Sequence, residues 1–157
     1  MSIQWQWRRY DELSPREIHA IFAARQAVFI VEQNCPYLDL DGKDLDAWHL
    51  MAWSGQDVAA YLRLVAPGVS YPEPSLGRVI TTRIARGSGL GRELVARGLE
   101  KIHELYPTQP IRIGAQAHLQ RFYGSLGFVQ SSEPYDEDGI PHLQMRREPG
   151  PVARQAQ

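Results

Sequence analysis

Hydrophobic and polar positions alternate at the start of the chain. Ile3, Trp5 and Trp7 are separated by glutamines, the period-two pattern of a strand with one buried face. The period changes at Ser14-Pro15-Arg16-Glu17. There a capping hydroxyl, a proline suited to the first helical position and a glutamate three residues after the serine announce a helix. Ile18, Ile21, Phe22 and Arg25 follow at helical spacing and carry it to about Val28. Residues 31–46 lose the pattern, and their run of Asp39, Asp41, Asp44 and Asp46 predicts a long, solvated loop. Apolar runs at 48–53 and 58–65 read as strands joined by the turn Ser54-Gly55-Gln56-Asp57. A Pro/Gly-rich connection leads to a strand at 76–82, then a glycine-rich segment. The helix after it carries the stripe Leu90, Leu94, Gly98 and Ile102 and ends near Tyr106-Pro107. Residues 111–115 predict a short strand, and 119–126 a helix closed by Gly127. Residues 128–130 and 142–147 predict a last pair of strands around the acidic loop 135–139. This order predicts an α/β fold with a mixed, mostly antiparallel, twisted sheet of about six or seven strands flanked by helices.

Composition narrows the class. A chain of 157 residues fits one domain, assigned to 1–148, and residues 149–157 have little to bury and are expected to be a disordered tail. The net charge of −1 gives no electrostatic case for nucleic acid or an anionic membrane. The single cysteine, Cys35, cannot form an internal disulfide, and no apolar stretch reaches membrane-spanning length. A cytoplasmic protein is expected. His49, His118, His142 and Cys35 lack the spacing of a metal site, so no metal is expected.

The candidate chemistry lies at Arg86-Gly87-Ser88-Gly89-Leu90-Gly91-Arg92. The first N–H groups of a helix have no partner within it, and the helix dipole places about half a positive charge there. Glycines at 87, 89 and 91 let the backbone approach a bulky anion, while Arg86 and Arg92 add charge and donors. The segment is neither a Rossmann fingerprint, because position 92 is arginine, nor a Walker loop, because Gly91-Arg92-Glu93 lacks the Gly-Lys-Ser/Thr ending. A tight strand-to-helix turn would use the same glycines for geometry alone.

Arg-Gly-x-Gly-Leu-Gly after a strand resembles the acyl-CoA signature of the GNAT N-acetyltransferase superfamily, and Phe122-Tyr123-Gly124-Ser125-Leu126-Gly127-Phe128 resembles its second landmark. The blocks around residues 28–37, 77–80, 114–120 and 137–142 look like the ElaA branch. The resemblance implies acetyl-CoA as cosubstrate and direct acetyl transfer to a primary amine on a small molecule or peptide. It places the backbone of Val79, Ile80 and Thr81 along the pantetheine arm and the pyrophosphate over Arg86 to Gly91, with Arg92 nearby. Gln116 stands where many members carry asparagine against the cofactor. Tyr123 matches the general acid that serves the departing thiolate. A free phenol titrates at about 10 and a free thiol at about 8.5, so full proton transfer runs uphill by roughly 2 kcal/mol. An amine like lysine is almost wholly protonated at pH 7, a deficit of roughly 4.6 kcal/mol that a base must reduce. Residues 76–82 contain no carboxylate, which departs from the many members that keep a glutamate there. Glu32 is the leading candidate for base or amine anchor, set against a loop-fixing role. His49 and His142 are candidates beside the acceptor cleft, set against structural histidines. The resemblance leaves two rivals, a non-catalytic acyl-CoA-binding module and an enzyme like the N-acylhomoserine-lactone synthases.

Overall fold

The computed structural model describes residues 2–152. Four antiparallel strands, β1 (Gln4–Arg9), β2 (Trp48–Ser54), β3 (Asp57–Val65) and β4 (Ser75–Thr81), form one sheet in that order. The second sheet holds β5 (Ile111–Gln116), β6 (Val129–Gln130), β7 (Tyr135–Glu137) and β8 (Ile140–Arg147), with β8 between β5 and β6 and also paired to β7. The helices are α1 (Pro15–Arg25), α2 (Leu90–Leu105) and α3 (Gln120–Gly124). The eight strands thus make two sheets rather than a single one of six or seven. The break falls between β4 and β5. Their starts are tied by the Arg112 N–H donating to the Pro74 carbonyl at 3.2 Å, and past that point no ladder joins them among the described residues.

Both faces of β2 and β3 are buried. Leu50, Ala52, Leu62 and Leu64 pack with Leu94, Leu99 and Ile102 of α2, whereas Met51 and Tyr61 pack with Ile21 and Val28 on the α1 side. Each fully buried aliphatic side chain contributes about 1.5–3 kcal/mol, so this two-sided burial anchors the first sheet. Helix α2 lies close because of Gly98, where a Cβ would stand 3.0 Å from both Leu62 and Leu76.

The start of α1 follows its sequence signal. The Glu17 N–H donates to Ser14 Oγ at 3.1 Å, the Ser14 N–H donates to Glu17 Oε1 at 2.8 Å, and Pro15 begins the helix. Its end differs from the expected stop near Val28. The chain continues as a π-helix over Gln26–Glu32, and the Gln33 N–H reaches the Val28 carbonyl at 3.2 Å. Such wide turns are frequent at functional sites.

Three further expectations are corrected. The region 135–139 is not a loop but part of the β7–β8 hairpin, turned at Asp138 and Gly139, which both have positive φ. That is the Asp-Gly signal of a tight hairpin turn. The solvated acidic loop is also overturned, because Asp39 and Asp44 are buried. Within the stretch expected to be a disordered tail, residues 150–152 are held against the domain. Arg147 donates to the carbonyls of Gly150 and Pro151, and Val152 packs on the main core. The remainder of the tail, 153–157, lies outside the described residues.

Candidate active site

A cavity of about 660 Å³ opens where β4 and β5 part. Strand β4 is the last strand of its sheet, so one row of its peptide groups lacks a strand partner and faces this opening. Opposite Leu62, between the pairs Tyr61–Ile80 and Arg63–Gly77, β4 carries two residues, Arg78 and Val79. This is a bulge, and Arg78 has a left-handed φ of 51°. A bulge bends its strand and re-aims a side chain, here bringing Arg78 to the cavity wall.

Of the residues singled out in the sequence, Val79, Ile80, Thr81, Arg86, Gln116, Tyr123 and His142 all line this cavity. Gly87, Ser88, Gly89, Leu90, Gly91 and Arg92 form the turn and first residues of α2 beyond Arg86, outside the cavity lining. Gly87 and Gly89 both have φ of 79°, a conformation that favours glycine. Gly89 occupies the N-cap and offers no capping side chain, which leaves the helix's first N–H groups open to an anion. Ser88 Oγ donates to the Ala85 carbonyl and steadies the turn. Arg92 is turned away to Ser125, donating to Oγ at 2.7 Å and to the carbonyl at 3.3 Å.

Tyr123 on α3 is 7% exposed. Burial alone pushes its hydroxyl up to about 12, and no neighbouring charge or hydrogen bond contributes. Phe122 and Phe128 meet its ring edge-on and fix its direction. Gln116 Nε2 donates to Gln33 Oε1 at 3.2 Å across the opening. His142, opposite Gln116 in the β5–β8 register, contacts the Ile140 carbonyl through Nδ1 at 2.8 Å. Its Nε2 lies 3.5 Å from Glu137 Oε2.

Glu32 and His49 sit elsewhere. Glu32, at the end of the π-helix, is 2.5 Å from Arg86 Nη2 and 3.4 Å from Arg83 Nε. The Arg86 guanidinium, with Arg83 in support, holds the Glu32 carboxyl below the usual carboxylate range. Arg86 also donates to the Thr81 carbonyl, so one side chain links the π-helix, β4 and the α2 turn. His49 is buried on the α1 face of the first sheet. Its Nδ1 lies 2.6 Å from the Tyr61 hydroxyl and its Nε2 2.9 Å from the Asp44 carbonyl, which makes it a satisfied core histidine rather than an acceptor contact.

The sequence reading missed the charged end of the cavity. Arg25 is fully buried and pairs with Asp39 at 2.9 Å and Asp44 at 2.7 Å. Arg63 pairs with Asp41 at 2.6 Å and Asp44 at 3.0 Å, and Arg78 joins Asp39 and Asp41. Burial pushes the Asp44 carboxyl up, but the two guanidiniums more than reverse this and hold it low. Asp41, Lys43, Arg63 and Arg78 all reach the cavity wall. A signal was available: Arg25 stands on the apolar stripe of α1, and Arg63 interrupts an otherwise apolar strand. A cation at such a position needs buried carboxylates. Among the described residues no group of three or more His, Cys, Asp or Glu is placed to hold a metal ion, and no helix is long and apolar enough to cross a membrane.

Comparison with known proteins agrees with this geometry. Residues 38–149 match the family model described as an acetyltransferase (GNAT) domain. Protein ElaA of Escherichia coli is 43% identical over 93% of this chain and 97% of its own. Its crystal structure superposes with a TM-score of 0.88, covering 94% of this chain and all of that one. The crystal structure of an acyl-CoA N-acyltransferase from Pseudomonas aeruginosa is 44% identical, with a TM-score of 0.88 over 93% of this chain and 99% of that one. A CoA-dependent acyl-homoserine lactone synthase shares the fold, with a TM-score of 0.76 at 14% identity over 95% of this chain and 84% of that one. Family model, relatives and fold agree, and the chain belongs to the GNAT acetyltransferase family, as an ElaA-like acyl-CoA acyltransferase.

Proposed function

We propose that the protein moves the acetyl group of acetyl-CoA directly to a primary amine. The observation that carries this reading is Tyr123, a buried residue whose hydroxyl has no hydrogen-bonding neighbour to lower its pKa and which lines the cavity that runs beside the unpaired edge of β4. A pantetheine arm has amide groups that can pair with the backbone of Val79, Ile80 and Thr81, in the manner of a strand added to a sheet edge. Its pyrophosphate then falls toward Arg86 and the uncapped start of α2.

In the transfer the amine nitrogen attacks the thioester carbonyl, the C–N bond forms and the C–S bond breaks. The sulfur leaves as a thiolate. With Tyr123 at about 12, complete proton transfer to a thiolate near 8.5 is uphill by about 5 kcal/mol. Tyr123 therefore stabilises the leaving sulfur by hydrogen bonding, and protonation is completed from solvent. The amine must shed a proton, and His142 is assigned that task. With Nδ1–H donating to the Ile140 carbonyl, Nε2 is the nitrogen free to take the proton, and Glu137, 3.5 Å away, faces the imidazolium that forms. Glu32, held low by Arg86 and Arg83, is a weak base and is assigned instead to holding Arg86 in place.

The test is release of free thiol from acetyl-CoA across a panel of amines, with calorimetry of acetyl-CoA binding alongside. Thiol release that depends on the amine supports the reading. Tight binding without any release makes the protein a binding module, and activity confined to acyl carrier protein places it with the lactone synthases.

A further inference from the structure

The cavity runs past the β4 bulge as far as Ser75, Leu76 and Gly77. Its inner wall is built from the segment around residues 41–44 and the bulge of β4, and four cations there meet three carboxylates. Arg25 and Arg63 are buried and share Asp39, Asp41 and Asp44 between them. Arg78 takes what is left of the same carboxylates. Its Nη2 donates to the Asp39 carbonyl at 3.0 Å and to Asp41 at 3.3 Å. Its Nε lies 2.8 Å from Asp39 yet lacks hydrogen-bond geometry and remains buried without a partner. Lys43 donates from Nζ only to Ser70 Oγ, at 3.0 Å, and pairs with no carboxylate among the described residues. Both Lys43 and Arg78 line the cavity, so the charge left over faces its interior. His142, Glu137 and Asp138 line it too, from the β7–β8 hairpin, so carboxylates lie at that end and the excess of cations belongs to the Lys43–Arg78 end.

A bare amine or a polyamine would bring more positive charge to a wall that already has an excess. We propose that the acceptor is a small primary amine that also carries an anionic group, a carboxylate or a phosphate, which binds between Lys43 and Arg78 while the amine turns toward His142. The proposal rests on the transfer reading above and adds the class of acceptor to it.

Matched acceptors test it. Thiol release from acetyl-CoA is measured with an amino acid, the amide of the same amino acid, an aminoalkyl phosphate and a diamine. The amide has the less basic amine, with more of it unprotonated at neutral pH, so intrinsic reactivity works against the expected result. The wild-type protein should favour the acid or the phosphate over the amide and the diamine by about tenfold or more in kcat/KM, the size of a hydrogen bond to a charged group. Lys43→Met should remove most of that preference through the acceptor's KM, Lys43→Arg should restore it, and the KM for acetyl-CoA should stay unchanged in both. Lys43 is only partly buried, so both variants should fold, which a thermal melt checks. Comparable or faster turnover of the amide or the diamine overturns the proposal and leaves acyl transfer standing, as does a preference that survives Lys43→Met. Thiol release with none of the amines removes the transfer reading, and the acceptor class falls with it.

Discussion

Tyr123 keeps its proton because its surroundings cannot solvate a phenolate. That makes it a dependable donor up to about pH 10, and a poor acid in the strict sense. Tyr123→Phe should lower kcat by about a hundredfold with little change in the KM for acetyl-CoA, as measured by thiol release. Because the hydroxyl stands at about 12, the wild-type pH–rate profile should show no loss from tyrosine ionisation up to about pH 10. A descending limb near pH 9 that vanishes in Tyr123→Phe contradicts this. Glu32 illustrates a different logic. Its carboxylate faces Arg86 and Arg83, so Glu32→Gln should raise the KM for acetyl-CoA by about two- to fivefold and leave the acid limb of the profile where it was. A shifted acid limb would return Glu32 to the role of base.

Among the elements, the π-helix and the β4 bulge do most to shape the site, and neither was legible in the sequence. Each adds a residue to a regular ladder without a residue type that marks it: Gln26–Glu32 reads as ordinary helix, and Arg78 is not the glycine that a positive φ favours. The start of α1 was legible because its signal is local, with serine, proline and glutamate within four positions. The acidic segment was misread for the opposite reason. Asp44 lies 19 positions from both Arg25 and Arg63, and only the fold brings them together. Asp44→Asn leaves Arg25 and Arg63 sharing too little negative charge in a buried place. It should cost about 3 kcal/mol and lower the melting temperature by about 10 °C. A melt within about 2 °C of the wild type would show that the cluster is far more hydrated than its burial indicates.

For the whole molecule, the order of strands and helices followed from periodicity except for β7, while the separation into two sheets did not, because no residue pattern marks where a ladder stops. The buried polar groups have a joint consequence for acid stability. Burial pulls His49 below its ordinary value, so the unfolded chain takes up that proton first and stability declines as pH falls below about 6.5. Asp41 and Asp44 are held low by guanidiniums, and Glu73 by Arg112. Their contribution is complete above their unfolded values near 4 and is lost as pH falls through the folded ones. The melting temperature should therefore drop gently from pH 7 to 5 and steeply below 4; a flat profile down to pH 3 would argue against both effects. The open edge of β4 bears on solubility. A strand with unsatisfied peptide groups at the rim of a sheet is a template for aggregation. Here β5 stands on the far side of the gap, and the Pro74–Arg112 link closes one end of it, so an incoming strand cannot pair along the whole edge. On the reading proposed above, a narrow amide-bearing tether would occupy that edge, and ligand binding would then mask it; acetyl-CoA should therefore slow aggregation of the protein on heating, as light scattering would show.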